Sequence, residues 1–432
     1  MTKIKKIIGR RIWDSRARPT VEAEVWLEGG AIGRAIAPAG ASMGSGEAID
    51  LRDKCTALGG FDVRRAVGHV NGEIASALIG MDAADQVGID RTLIDLDGTP
   101  PKARLGANAT IAVSMAVLQA AAAAAHVPLY KYIARDRPTR IPLPEIQIFG
   151  GGAHAGRRVD VQDFLVVCPS AKSIAEALDR TGEVYHAAGR LLRESGRLNG
   201  VADEGGWWPA FATNEEALDM LVRAIEAAGF TPGNEVWIAL DVAASEFGGG
   251  GQYRLGLEKR ELDRDGLAEL LLRWVERYPI LSVEDPFAED DAEGFRRFTA
   301  AVGDRVQVVG DDLLVTSAAR VRDASREKLV NAVLIKPNQV GTITETVAAL
   351  DAARAENLAA IVSARSGETE DVTIAHLSVG WNAGQVKVGS IARGERTAKW
   401  NELIRIEEAL GHGAEFAGWG ALPIKRRENQ KT

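Results

Sequence analysis

Five charged residues stand where apolar runs stop: Asp241, Glu284, Asp311, Lys336 and Lys387. The run Ala332-Val333-Leu334-Ile335 ends abruptly in Lys336, followed by Pro337. A lysine at such a point is partly desolvated, which lowers its pKa and makes it a usable base. Taken alone it reads more simply as a side chain snorkelling out of a sheet edge. A single strand-end carboxylate likewise reads as a turn or helix cap. Three on successive strands, with a lysine on the next, need another reason. Like charges converging on one place repel unless a cation sits among them. Carboxylate oxygens without cysteine or clustered histidine select a hard divalent cation, with Mg²⁺ the default. A lysine opposite such a metal has a defined use. It removes a proton next to a carboxylate while the metal holds the resulting charge.

The elements that position these residues read as alternating strands and helices after residue 140. Candidate strands are Asp163 to Val167, Val236 to Asp241, Ile280 to Glu284, Val306 to Asp311, Val333 to Lys336, Ala360 to Ser363 and Gln385 to Val388. Helical segments such as Leu267 to Tyr278 and Thr342 to Asn357 lie between most of them. Such alternation implies a mostly parallel sheet, and apolar strands without alternation imply burial on both faces. A closed β/α barrel fits the length and the number of units, and the polar strand ends then share its C-terminal mouth. Gly248 to Gly251 reads as a loop insertion.

Before residue 140 the pattern differs. Ile4 to Trp13 and Thr20 to Leu27 read as strands. Ala37 to Gly46 is small and glycine-rich, a flexible connector or a lid over a ligand. Residues 61 to 135 read as helical, most clearly Ala107 to Ala125, which reads as a packed helix rather than a membrane span. The polar Arg135-Asp136-Arg137-Pro138-Thr139 marks a boundary. The expected organisation is an α/β chain with a smaller N-terminal α+β domain, 1–138, and a TIM-like β/α barrel, 139–432.

The composition is 46% hydrophobic and 26% charged with a net charge of −8, so no nucleic-acid footprint is expected. No secretory signal and no membrane-crossing run is read. Cys55 and Cys168 stand far apart in no ligand spacing, and two lone thiols point to a reducing, cytoplasmic setting.

Several segments are more specific: Asp203-Glu204-Gly205-Gly206, Ala239 to Phe247, Ser282 to Phe287, Val309 to Leu313, Leu334 to Gln339 and Arg365 to Asp371. In this order and spacing the chain resembles the enolase family, from Asp14-Ser15-Arg16 to Ile406-Glu407-Glu408. A Lys base with one or two Mg²⁺ is that superfamily's general pattern. The resemblance implies two Mg²⁺, a homodimer or larger homo-oligomer, irregular first barrel units, and a small phosphorylated three-carbon acid as substrate. It implies that Lys336 takes the C2 proton of a 2-phosphoglycerate-like acid and that Glu204 protonates the departing hydroxyl, with Asp163 working beside it. Asp241, Glu284 and Asp311 would bind the first metal, and Ser42 in the lid the second. Arg365 and Ser366 would hold the phosphoryl group with His154 nearby, and Lys387 would support the carboxylate and lower the pKa of Lys336.

The chain departs from the family's usual pattern near the leaving group. Ala364 stands where the family has histidine, and Asp163 where it has glutamate. Ala39 and Met43 in the lid and Trp207-Trp208 are also unusual. These departures raise the alternative of a specialised paralogue acting on a phosphono acid, as carboxyphosphonoenolpyruvate synthase does. A non-catalytic binding protein on the same scaffold need not keep the metal ligands or the lysine, and this chain keeps them.

Overall fold

The computed structural model describes residues 1–156 and 159–424. Arg157, Arg158 and the last stretch of the expected barrel domain, 425–432, lie outside them. The N-terminal part is a three-stranded antiparallel sheet, β1 (Ile4–Trp13), β2 (Pro19–Leu27) and β3 (Ile32–Ile36), followed by helices. The helix Ala107–Ala124 packs on this sheet. A Cβ on Gly33 would collide with the backbone of Ala116 and Ala120, so sheet and helix meet backbone to backbone. This helix is long and apolar enough to cross a membrane, but 83% of it is buried inside the fold, as a core helix requires.

Eight strands close the barrel: β4 (Leu143–Gly150), β5 (Asp163–Val167), β8 (Trp237–Asp241), β12 (Ile280–Glu284), β13 (Gln307–Gly310), β14 (Ala332–Ile335), β15 (Ala359–Ser363) and β16 (Gly384–Ser390). Closure comes from β16 pairing with β4. The strands are parallel except β5, which runs antiparallel to both of its neighbours. The hairpin β6 (Leu198–Val201) and β7 (Trp207–Pro209) extends the sheet beside β4. The segment read as a loop insertion is instead a small antiparallel sheet of β9 (Gly248–Gly249), β10 (Gln252–Leu255) and β11 (Arg260–Asp263). Its last residue, Asp263, accepts from the Gly266 N–H and starts the next helix.

Sequence cues account for the helix starts. Ser173, Thr213 and Thr342 each accept an N–H three residues on, and Glu176, Glu216 and Glu345 stand at that third position. The N-terminal part and the barrel are tied together at Gly341–Glu345. Thr110 Oγ1 donates to Gly341 O at 2.8 Å, and Lys102 Nζ meets Glu345 Oε1 at 2.6 Å.

Candidate active site

Parallel strands bring their C-terminal ends to one mouth. Asp241 and Glu284 are the last residues of β8 and β12, while Asp311 and Lys336 directly follow β13 and β14. Lys387 differs from the expectation, lying inside β16 rather than at its end. Gly40, Ser42, His154, Asp163, Glu204, Asp241, Lys336, Ala364, Arg365, Ser366 and Lys387 line one cavity.

On one side two lysines are paired with the strand-end acids. Lys387 Nζ lies 2.7 Å from both Asp241 Oδ2 and Glu284 Oε2. Lys336 Nζ is paired with Asp311 Oδ2, and Gln339 Nε2 donates to the other Asp311 oxygen at 2.9 Å. The expected lowering of the Lys336 pKa is not what this arrangement gives. Burial pulls it down, but Asp311, with help from Glu284, carries it above the ordinary lysine value against Arg365 and Lys387. Burial and Asp241 push the Glu284 carboxyl well above the usual range, and its Oε1 is buried with no hydrogen-bond partner among the described residues. A tighter acidic cluster is Asp285, Asp311 and Asp312. There Asp285 accepts the N–H groups of Asp311 (2.9 Å) and Asp312 (2.7 Å) and so shapes the turn after β13.

On another side His154, Asp163 and Glu204 come together. His154 Nδ1 is 3.0 Å from Asp163 Oδ1, and His154 Nε2 is 3.7 Å from Glu204 Oε1. Burial alone would lower the His154 pKa, but Asp163 and Glu204 carry it up to about 9. Asp163 is held at about 2 by His154, Lys387 and Gln147, against burial. The ordinary histidine value is about 6.5. The imidazolium therefore stabilises the fold fully below that value, and the contribution is lost as the pH rises through about 9. ¹⁵N NMR of His154 should accordingly show the charged ring at pH 7.5, about a unit above its unfolded pKa. A neutral ring at that pH would refute the ion pair.

The Arg365 guanidinium is fully engaged. It meets Glu47 at 2.9 Å, Asn338 Oδ1 at 3.2 Å and the Ser42 carbonyl at 3.0 Å. Ser42 thus enters through its backbone, while Met43 beside it is exposed. The loop after β15 is braced from beneath. Arg396 Nη1 donates to Arg365 O at 2.7 Å, Arg396 Nη2 to Ser366 O at 2.5 Å, and Lys399 pairs with Glu368 at 3.0 Å. Arg16 Nη1 reaches Ser366 Oγ at 3.5 Å.

Family models match this chain as an enolase N-terminal domain over residues 4–133 and an enolase C-terminal TIM barrel domain over residues 138–423. The chain belongs to the enolase family. It is 48% identical over 423 residues to Enolase 1 of Desulfitobacterium hafniense (strain Y51), covering 97% of both chains. An enolase-type lyase is thus the enzyme class of this chain, and the eight-stranded barrel and smaller α+β part follow the family plan.

Several enolase site neighbours escaped the sequence reading. Glu47 follows directly on the glycine-rich stretch read as ending at Gly46 and was not singled out. Gln147 sits on β4, whose Pro144 and interrupted apolar pattern hid the strand. Deeper in the barrel than the mouth lies a buried polar layer of Glu145, Ser282, Gln307 and Gln385. In it Gln307 Nε2, with two hydrogens to give, lies 3.0–3.1 Å from oxygens of the other three. Burial and Asp241 raise Glu145 to about 7, with Lys387 opposing. Trp207 turns away from the cavity and stacks on Tyr185 at 4.6 Å.

Proposed function

We propose that the protein removes the C2 proton of 2-phosphoglycerate and expels the 3-hydroxyl to give phosphoenolpyruvate, with Lys336 as base and Glu204 as the acid for the leaving hydroxyl. The observation that carries this reading is the pairing of two buried lysines with three buried strand-end acids in a chain of this family. The donor set fits a cation. Asp241, Glu284 and Asp311 offer only oxygens, and Glu284 Oε1 is buried with no hydrogen-bond partner among the described residues. We assign Mg²⁺ to them, where it would stabilise charge on the substrate carboxylate, with Ser42 toward a second ion.

The chain's own residues then divide the work. Neutralising both Asp311 and Glu284 would leave burial, Arg365 and Lys387 acting on Lys336, and all three lower its pKa toward a usable base. Arg365 exchanges its bond to the Ser42 carbonyl for the phosphoryl oxygens, and Ser366 offers its hydroxyl beside it. The charged His154 fixes Asp163 and faces Glu204, so all three side chains are held together on the side where the leaving hydroxyl would depart. Ala364 presents only a methyl group to the cavity and leaves room at the phosphoryl end. Free Cys55 and Cys168 fit a reducing, cytoplasmic setting, and a homodimer is the assembly we expect.

The test is an assay with 2-phosphoglycerate and Mg²⁺ that follows phosphoenolpyruvate by its ultraviolet absorbance. Turnover abolished by a chelator and restored by Mg²⁺ is the expected result. C2 exchange with deuterated water without turnover would instead point to a phosphono acid as the true substrate. In that case Ala364→His with Asp163→Glu should raise dehydration by roughly 10²-fold, the usual worth of one acid–base partner.

A further inference from the structure

Gln147 is fully buried on β4, and each end of its amide serves a different part of the site. Its Nε2 donates to Asp163 Oδ1, the same oxygen that meets His154 Nδ1. Its Oε1 accepts from the Gly206 N–H at 2.9 Å. A carboxylate only accepts and an N–H only donates, so the amide has one orientation here. Gly206 closes the turn that carries Glu204, with the Ala202 N–H donating back to Gly206 O at 2.8 Å. A Cβ on Gly206 would collide with Gln147 Oε1, so the turn comes as near to the amide as a backbone can. The other side of the turn is fixed by Ser390 N–H on Glu204 O at 2.9 Å and the Tyr185 hydroxyl on Gly205 O at 3.0 Å. Gln147 thus joins the backbone of the Glu204 turn to Asp163 through a single side chain, beside the Asp203 N–H that donates to His154 O at 3.2 Å.

We infer that Gln147 is a positioning residue for the leaving-group half of the reaction. It holds Asp163 against His154 and sets the distance between that pair and Glu204. The inference rests on Glu204 acting as the proton donor to the hydroxyl. Among the described residues Gln147 makes no hydrogen bond to Lys336, Asp311 or Glu284, so it should separate the two halves of the reaction.

The experiment is Gln147→Leu, which keeps the volume and removes both hydrogen bonds. We expect C2 proton exchange to stay within about twofold of the unaltered protein while phosphoenolpyruvate formation falls by ~10²-fold or more. Gln147→Glu keeps the acceptor for Gly206 but must share a proton with Asp163. Its dehydration, relative to the unaltered protein at the same pH, should recover as the pH falls. Equal loss of exchange and dehydration in Gln147→Leu, or no loss of dehydration, overturns the inference. If the unaltered protein neither exchanges nor dehydrates 2-phosphoglycerate, the functional reading fails. The substrate-free ¹⁵N signal of His154 then decides, because an unchanged signal in Gln147→Leu sinks the positioning role and a shifted one upholds it.

Discussion

Lys336→Ala is expected to lower both C2 proton exchange and phosphoenolpyruvate formation by ~10²–10⁴-fold, since the proposed base is removed before either can occur. The same change strips Asp311 of its ammonium partner in a buried setting. Without a divalent cation the variant should melt earlier than the unaltered protein, because one member of a buried pair is left uncompensated. With Mg²⁺ present that gap should narrow, as a cation on Asp311 replaces the missing charge. Exchange at the normal rate in Lys336→Ala would show that another group is the base, with Lys387 next to be tested.

Arg365→Ala should give the largest loss of stability. Arg365 and Glu47 are both buried, and the pair spans the lid region and the loop after β15. Removing the guanidinium leaves the Glu47 carboxylate buried without a counter-charge, at a cost of about 3–5 kcal/mol. The double change Arg365→Ala with Glu47→Ala should recover much of that stability and none of the activity. Thermal melting of the two variants and their KM for 2-phosphoglycerate separate the effects. A single variant as stable as the unaltered protein would show that the pair contributes little net energy, as exposed ion pairs do.

The barrel was legible because most of its parallel strands are mainly apolar and meet a charge at or just past their ends, as Ile280–Glu284 and Ala332–Ile335 with the following Lys336 show. The acids and lysines of the mouth followed from that pattern. The rule of strand ends fails at Asp163, which is the first residue of β5. It reaches the mouth because β5 runs backwards, placing Asp163 opposite Asp241 in register. The sequence carried no local sign of that reversal, and only the family resemblance pointed to Asp163. The pKa of Lys336 was misjudged for a different reason. Burial was foreseen, but the partner that outweighs it, Asp311, comes from a strand 25 residues away in sequence. Gln147 and Glu145 were missed together because β4 was not read as a strand.

The reversed β5 also bears on how this scaffold is varied. Around most of the barrel, the segments that follow the strands can be lengthened or recombined to change what the mouth accepts. At β5 the adjustable segment precedes the strand, and it carries His154 as well as leading into Asp163. An insertion between residues 156 and 162 would slide one member of the ion pair away from the other. Libraries meant to redirect substrate choice should leave that stretch at its present length and place their diversity around Ala364.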